Sequence, residues 1–328
     1  MPTHAVPLDL VELNEVRHAL QRRYDAMEGG ALERKVLVVV NGKGGVGKSS
    51  LSAALAYALS KAGFRVLLAE MDQQGNNGED LGFSDDELDD KGAAQAAAIL
   101  EGKPLVPTGA ARKKLDVVPG GHHLDDIVEE LYCQRRIAKE TGDDSWMGMY
   151  AAAIDPIRDN YDWIILDVAP GSDVLQLQAL TAGDMVLVPS RSDPSSRKGL
   201  RMVAARFAEA SAYNSNLRLL GVVLFGTNTS ATKVQQNIKK SLENDLREAA
   251  PVFSQTIRHV EAAAVAARSM GRVPQEASRE GAKELEKEFP GVLKSMKLLA
   301  SDYQALAIEV AQALNDLNDD DDAEGEDL

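Results

Sequence analysis

The chain has 328 residues, 44% hydrophobic and 27% charged, a balance typical of a globular protein with a large buried core. Its net charge of −15 means that any contact with nucleic acid must come from a local basic patch, and its single cysteine, Cys133, excludes intrachain disulfides and metal sites that need several cysteines. No apolar stretch approaches the ~18 residues of a membrane helix, and acidic residues stand where a signal peptide would lie, so we expect a soluble, cytoplasmic protein without membrane contact.

Residues 1–33 contain one predicted amphipathic helix. Apolar side chains recur there at helical spacing as far as the pair Gly29-Gly30, at Leu13, Val16, Leu20, Tyr24 and Met27. One helix is too short to form a separate folded domain. The pattern therefore leaves two interpretations, because the helix can pack on the core of its own chain or on a second subunit.

A phosphate-binding loop follows the first predicted strand, the apolar run at 36–40. Residues 42–49 fit the pattern G-x-x-x-x-G-K-[ST], and a helix is predicted over 51–62. Glycines let consecutive amides point at phosphate oxygens, and the positive end of the helix faces the anion. The strand–loop–helix order favours this interpretation over an ordinary glycine-rich turn. The predicted nucleotide contacts are Gly44, Gly45, Val46, Gly47, Lys48, Ser49 and Ser50, with Lys48 on the β and γ phosphates and Ser49 on Mg²⁺.

Further strands alternate with helices along the chain. The apolar runs predict strands at 65–69, 115–118, 161–166, 185–188 and 219–225, and long helical patterns occupy 195–212 and 233–249. This alternation predicts an α/β domain over 34–315 with a doubly wound, mostly parallel sheet and helices on both faces, the P-loop NTPase fold. Ligands of such sheets bind at the carboxyl ends of the strands.

Two aspartates follow predicted strands and are expected at that same edge. Asp167 ends an apolar strand and is predicted to hold Mg²⁺ through water. Asp72 ends the second strand next to Gly75 and could orient a water in line with the γ-phosphate. Carboxylates commonly follow strands, so the assignment of each depends on the nearby phosphate loop.

The chain ends in a strongly acidic segment after a helix predicted over 292–317. Residues 316–328 contain eight acidic side chains and no basic one, which is more than half of the net charge. A run of like charges without apolar residues repels itself and has nothing to bury. We therefore expect a disordered acidic tail over 316–328.

Together with Lys43, these segments resemble the ParA family of partition ATPases, within the ParA/MinD group with a deviant Walker A motif. The specific matches are the K-G-G-x-G-K-[ST]-[ST] loop at 43–50, the D-x-Q-G-N segment at 72–76 and the strand and turn at 161–171. The resemblance implies an ATP hydrolase that requires Mg²⁺ and forms an ATP-dependent homodimer. It further implies that the dimer binds non-specific DNA of the nucleoid and that a ParB-type centromere-binding partner stimulates hydrolysis during plasmid or chromosome partition.

The resemblance also assigns roles to single residues. Lys43 would be the signature lysine, which crosses the dimer interface to contact the nucleotide of the other subunit. Asp72 would position the attacking water and share the Mg²⁺ site with Ser49 and Asp167. Asn228 falls where relatives contact the adenine, and Pro189, in another matching segment, is assigned to the nucleotide site as well.

The DNA-binding surface is the part of the resemblance that departs from the family. Ala208 and Ala262 stand near positions where chromosomal relatives carry arginines. Other basic residues nearby are the candidates, namely Arg197, Lys198, Arg201, Arg258 and Arg268, with Arg206 and Arg272 close to them. A basic helix face that only contacts solvent is an equal alternative. Binding through such groups would target phosphates and weaken steeply with salt.

Two other functions fit parts of the sequence. One is a MinD-like ATPase that acts on a membrane or on a protein assembly. Binding to a membrane would require a basic amphipathic helix at the C-terminus, whereas this chain ends in aspartates. A scaffold that only binds nucleotide would not need Lys48, Asp72 and Asp167 together. The sequence therefore favours a DNA-partition ATPase.

Overall fold

One eight-stranded sheet forms the centre of the protein. The structure is a computed structural model that describes residues 10–25, 33–191, 194–227, 239–240 and 251–326. Its strands are β1 (Val36–Val39), β2 (Val66–Met71), β3 (Gly109–Arg112), β4 (Leu115–Val118), β5 (Trp163–Val168), β6 (Met185–Ser190), β7 (Arg218–Thr227) and β8 (Val252–Arg258). They are ordered β3-β4-β2-β5-β1-β6-β7-β8, and every neighbouring pair is parallel except β3 and β4.

Helices cover both faces of this sheet, which confirms the predicted doubly wound α/β class. They are α1 (Leu10–Asp25), α2 (Lys48–Ala62), α3 (Asn76–Leu81), α4 (Ala93–Leu100), α5 (Leu124–Thr141), α6 (Met149–Ile154), α7 (Asp173–Ala182), α8 (Pro194–Ser211), α9 (Glu261–Ser269), α10 (Pro274–Ala277), α11 (Ala282–Glu288) and α12 (Leu293–Glu326). In the described part of the chain, none of the helices combines the length and the apolar character that crossing a membrane would take.

The sheet separates two hydrophobic cores, and the strands alternate between them. In β1, Val36 and Val38 belong to the core under α1, α5 and α7, whereas Leu37 and Val39 belong to the core under α2, α9 and α12. Side chains of a strand point alternately to its two faces, and both faces here are covered. This explains why the central strands are continuous apolar runs, which the sequence made easy to predict.

The two edge strands, β3 and β8, were not predicted. Strand β8 pairs with β7 on one side, and α12 covers its other edge through two carboxylates. Glu309 accepts hydrogen bonds from the amides of Ser254 and Gln255 at 2.6 and 2.9 Å, and Asp302 accepts one from the amide of Arg258 at 3.0 Å. These bonds occupy amides that would otherwise be free to pair with another strand. The helix predicted over 233–249 lies outside the described residues except for 239–240.

Helix α1 packs on its own chain. Val16 and Ala19 are buried in the core that includes α6 and α7. The buried Arg23 donates to both carboxylate oxygens of Asp155, at 2.9 and 2.8 Å, and to the carbonyl of Ala182 at 3.3 Å. This packing supports the first of the two interpretations of the N-terminal helix.

The C-terminal segment differs from the expectation of a disordered tail. Helix α12 continues through residues 316–326 to Glu326. The Nη1 atom of Arg34 donates to the carbonyl of Leu317 and to Oδ1 of Asn318, both at 3.1 Å, so the chain is still held beyond 315. Extending an existing helix adds one backbone hydrogen bond per residue without a new nucleation cost. An acidic sequence can therefore prolong a helix that the preceding turns already anchor.

Candidate nucleotide-binding site

The loop after β1 has the conformation that the glycine pattern predicts. Gly45 and Gly47 have positive φ angles of 69° and 85°, which side chains with a Cβ rarely adopt. A Cβ on Gly47 would lie 2.1 Å from Cζ of Phe225. The loop therefore has no room for a larger residue at this position, and its turn leads directly into the first residue of α2, Lys48.

Asn41 fixes this loop to the neighbouring strand, a role that the sequence analysis missed. Its Nδ2 atom donates to the carbonyl of Pro189 at 2.6 Å, and its Oδ1 atom accepts from the amide of Lys43 at 2.9 Å. A Cβ on Gly199 of α8 would lie 2.4 Å from the same Oδ1 atom. Asn41 thus holds the position of Lys43 relative to both β6 and α8. The carbonyl of Pro189 is a partner of Asn41, and a contact of Pro189 with the nucleotide stays a prediction.

A cavity of about 840 Å³ opens above the loop at the carboxyl ends of the strands. Most of the predicted phosphate-loop residues line it together with Asp72, namely Gly44, Gly45, Gly47, Lys48, Ser49 and Ser50. Val46 is fully buried under the loop and does not line the cavity. Asn228 lies outside the described residues. The cavity is large enough for a nucleoside triphosphate, and a second wall of it is formed by α9 and α12.

Lys48 is a buried cation beside two carboxylates. Lys48 is only 6% exposed. Burial lowers the pKa of Lys48, while the charges of Asp167 and Asp72 oppose that shift. An ammonium group in this position is already desolvated, so a phosphate that enters the cavity meets it without a large further loss of hydration.

Three carboxylates cluster at the ends of β2 and β5. Asp167 and Glu70 are partners in the parallel register of these strands, and Asp72 lies two residues after Glu70. Burial raises the pKa of Asp167 to about 6, against the hydrogen bond from Ser49 and the charge of Lys48. Burial and the neighbouring Asp167 also hold the pKa of Glu70 well above its usual range. Glu70 was missed by the sequence analysis, although its spacing of two from Asp72 is the signal for a shared strand face.

Asn77 connects these carboxylates to the segment after Asp72. Its amide donates to both carboxylate oxygens of Glu70, at 3.2 and 3.1 Å, and its Nδ2 atom donates to Oδ2 of Asp167 at 3.1 Å. Within the described chain, the buried Oδ1 atoms of Asp167 and Asn77 have no hydrogen-bond partner. Unpaired buried oxygens next to a serine hydroxyl are suited to Mg²⁺ and its waters, so the residues present fit the predicted metal.

The predicted DNA-binding residues fall in two different places. Lys198 and Arg201 are exposed on α8, and Arg197 lies in the same helix, with a side chain outside the described part of the structure. Arg258 and Arg268 instead line the nucleotide cavity. Arg258 forms a two-pronged ion pair with Asp302 of α12, at 2.6 and 2.7 Å. The two groups therefore lie in different parts of the molecule, and DNA binding by either stays a prediction.

Comparisons with known proteins identify relatives of this chain. A family model described as an AAA domain matches residues 34–219, more than half of the chain. The chromosome partitioning protein ParA of Myxococcus xanthus is 30% identical over 217 residues, which cover 65% of this chain and 72% of that protein. The sporulation initiation inhibitor protein Soj of Bacillus subtilis is 30% identical over 193 residues, which cover 58% of this chain and 72% of that protein.

Solved structures show that the fold is shared more widely. Apo McdA of Cyanothece superposes with a TM-score of 0.62 at 20% identity, covering 80% of this chain and 99% of McdA. An ATP complex of a McdA variant gives a TM-score of 0.61 at 18% identity, covering 86% and 97%. At such low identity the likeness establishes the P-loop fold alone. The family model and the two curated relatives carry the assignment further, and the chain belongs to the ParA family of partition ATPases.

Proposed function

We propose that the protein is an ATP-dependent, dimerising ATPase of DNA segregation. The observation that carries this proposal is that Lys48 and Asp72 line one cavity at the phosphate loop, with Asp167 close to Lys48 behind them. A protein that only binds nucleotide would need the lysine and the loop, but not a carboxylate that faces the cavity. The relatives named for chromosome partition support the same conclusion.

Each residue of the site has a chemical role in this proposal. The loop amides and Lys48 bind the triphosphate. Ser49 and Asp167 would hold Mg²⁺, which would supply positive charge next to the phosphate oxygens. Asp72 lines the cavity, and its Oδ1 atom accepts from the amide of Gln74 at 3.0 Å, which fixes the carboxylate. The other oxygen of Asp72 then orients the attacking water.

Lys43 acts on a second subunit in this proposal. It does not line the cavity of its own chain, and Asn41 holds its backbone in place. A cation supplied across the interface offsets the repulsion between two triphosphates that face each other, so dimerisation depends on ATP. The ATP dimer then binds DNA phosphates through the exposed face of α8, at Lys198 and Arg201, and a ParB-type partner releases it by stimulating hydrolysis.

The experiment that tests this function is an ATPase assay with four additions. Hydrolysis is measured alone, with generic DNA, with the protein encoded by the neighbouring gene and with anionic liposomes, and Lys48→Ala serves as the variant without turnover. Stimulation by DNA together with the neighbouring protein supports partition. Stimulation by liposomes alone would replace the proposal with a MinD-like membrane function, and no turnover under any condition would refute the enzyme.

A further inference from the structure

One carboxylate oxygen in the cavity wall contacts both the phosphate loop and an arginine. Oδ2 of Asp80 accepts from the hydroxyl of Ser50 at 3.4 Å and from Nη2 of Arg268 at 3.0 Å. Oδ1 of Asp80 accepts from Nε of the same arginine at 2.9 Å. Ser50 and Arg268 therefore share a single oxygen atom of Asp80, although Asp80 belongs to α3 and Arg268 to α9.

Burial makes the position of Asp80 costly for a carboxylate, and a second anion beside it would raise that cost. The residue is 7% exposed, and its carboxylate lies beside the first turn of α2, where the helix and the loop amides attract phosphate. A phosphate bound at the Ser50 hydroxyl would come next to this carboxylate in a poorly solvated wall. The phosphate and the Asp80 carboxylate would repel each other strongly in this poorly solvated wall, so nucleotide binding requires a cation that compensates Asp80.

Arg268 has the geometry to supply that compensation and to contact the phosphate itself. Its side chain is 39% exposed and lines the cavity, so part of the guanidinium faces the space where the ligand enters. The group carries five N–H donors in a planar fork, of which two bind Asp80, while Nη1 lies 3.5 Å from Glu79. Arginine forks of this kind bind phosphate oxygens in pairs.

We propose that Arg268 is a nucleotide-binding residue that contacts the phosphate group held at Ser50 and neutralises Asp80 beside it. This inference rests on the proposed binding of ATP. It places Arg268 in the nucleotide site instead of on the DNA surface. Helix α9 is then part of the wall that contacts the phosphate groups. The ligand class is a nucleoside di- or triphosphate, because the contact is made to phosphate.

The test compares Mg-ATP affinity among four proteins by isothermal titration calorimetry. The four proteins are wild type, Arg268→Ala, Asp80→Asn and the double variant. We expect Arg268→Ala to weaken binding tenfold or more, because Asp80 is left uncompensated beside the phosphate. Asp80→Asn removes the repulsion and frees the arginine, so its affinity should equal or exceed that of wild type. The double variant should bind more tightly than Arg268→Ala. A pair with only a structural role would instead weaken binding in both single variants.

Two controls separate this contact from a general loss of stability and from DNA binding. Arg23→Ala breaks another two-pronged arginine–carboxylate pair, to Asp155 at 2.9 and 2.8 Å, and neither residue lines the cavity. It should lower the melting temperature without changing ATP affinity. Mg-tripolyphosphate, which has no nucleoside, should lose affinity in Arg268→Ala as ATP does, and DNA binding at saturating ATP should stay unchanged.

The outcomes that overturn the inference are distinct from those that overturn the proposed function. If wild type binds ATP and Arg268→Ala binds it equally well, the contact does not exist although the ATPase proposal stands. If Arg268→Ala weakens ATP but not tripolyphosphate, the arginine contacts the nucleoside and the phosphate assignment is wrong. If wild type binds no ATP, the proposed function fails together with the inference.

Discussion

Replacing the buried Asp167 by asparagine should stabilise the nucleotide-free protein at neutral pH. The aspartate is 1% exposed, and burial raises its pKa to about 6, from 3.8 for an unperturbed side chain. Each pKa unit corresponds to about 1.4 kcal/mol of differential interaction, so the charged carboxylate costs the fold up to about 3 kcal/mol in the absence of a ligand. Asparagine keeps the shape and can still accept the hydrogen bond from Asn77, but it carries no charge.

The pH dependence of this gain follows from the direction of the shift. Between pH 4 and 6 the folded wild type holds a proton that the unfolded chain has released, so its stability falls as the pH rises through this window. Above about pH 6 the penalty is constant. The advantage of Asp167→Asn should therefore be absent near pH 4, grow up to pH 6 and then remain level. The substitution also stabilises the protein through Glu70, because Glu70 no longer has the negative charge of Asp167 beside it.

Chemical denaturation of the nucleotide-free protein at several pH values measures this effect. The matched control is Asp184→Asn, because Asp184 is equally buried but accepts from Arg158 at 2.6 Å and from the amides of Lys35 and Val36 at 2.9 and 2.8 Å. That variant should destabilise the protein by weakening a satisfied ion pair. If Asp167→Asn were also destabilising at pH 7.5, burial of the Asp167 carboxylate would not cost the fold free energy, and the prediction would be refuted.

The remaining predictions concern the steps of the proposed cycle. Asn77→Ala removes a hydrogen bond to a charged group, worth about 1.5–3 kcal/mol, so half-maximal ATPase activity and half-maximal Mg²⁺-dependent stabilisation should need roughly tenfold more Mg²⁺. The control is Asn214→Ala, because the buried Asn214 donates to the carbonyls of Thr181 and Gly183 at 2.9 and 2.5 Å and does not line the cavity. That variant should lower only the melting temperature. Asp72→Ala should lower kcat by about 10²-fold or more while an ATP dimer persists in size-exclusion chromatography, and normal turnover would remove Asp72 from its role. Lys43→Ala should bind ATP as wild type does but remain monomeric, whereas an unchanged ATP dimer would contradict the trans lysine.

The central sheet could be predicted from the sequence because its strands are buried on both faces. Continuous apolar runs such as the one in β5 have no other common explanation at that length. Strand β3 consists of Gly109, two alanines and Arg112 with half-exposed side chains, and β8 mixes buried and polar positions, so neither differs from a loop in composition. Their place in the sheet comes from contacts with β4, β7 and α12, which no local pattern encodes.

The same distinction applies to the site. The phosphate loop and the two strand-end aspartates depend on local backbone geometry, so they could be recognised within a few residues of sequence. Asp80 and Arg268 are 188 positions apart, and each alone is an ordinary charged residue on a helix.

The residues of the site share one physical problem, which is the number of carboxylates at this edge of the sheet. Asp72 and Asp167 lie close to the buried cation Lys48, and Glu70 lies beside Asp167. A triphosphate brought there alone would add to an already unfavourable field, so the site can bind it only with further positive charge. Mg²⁺ at Asp167, Arg268 from the opposite wall and Lys43 from a second subunit would each provide part of that charge. Binding of metal, the phosphate contact of Arg268 and dimerisation would then be coupled, because each relieves the same electrostatic cost.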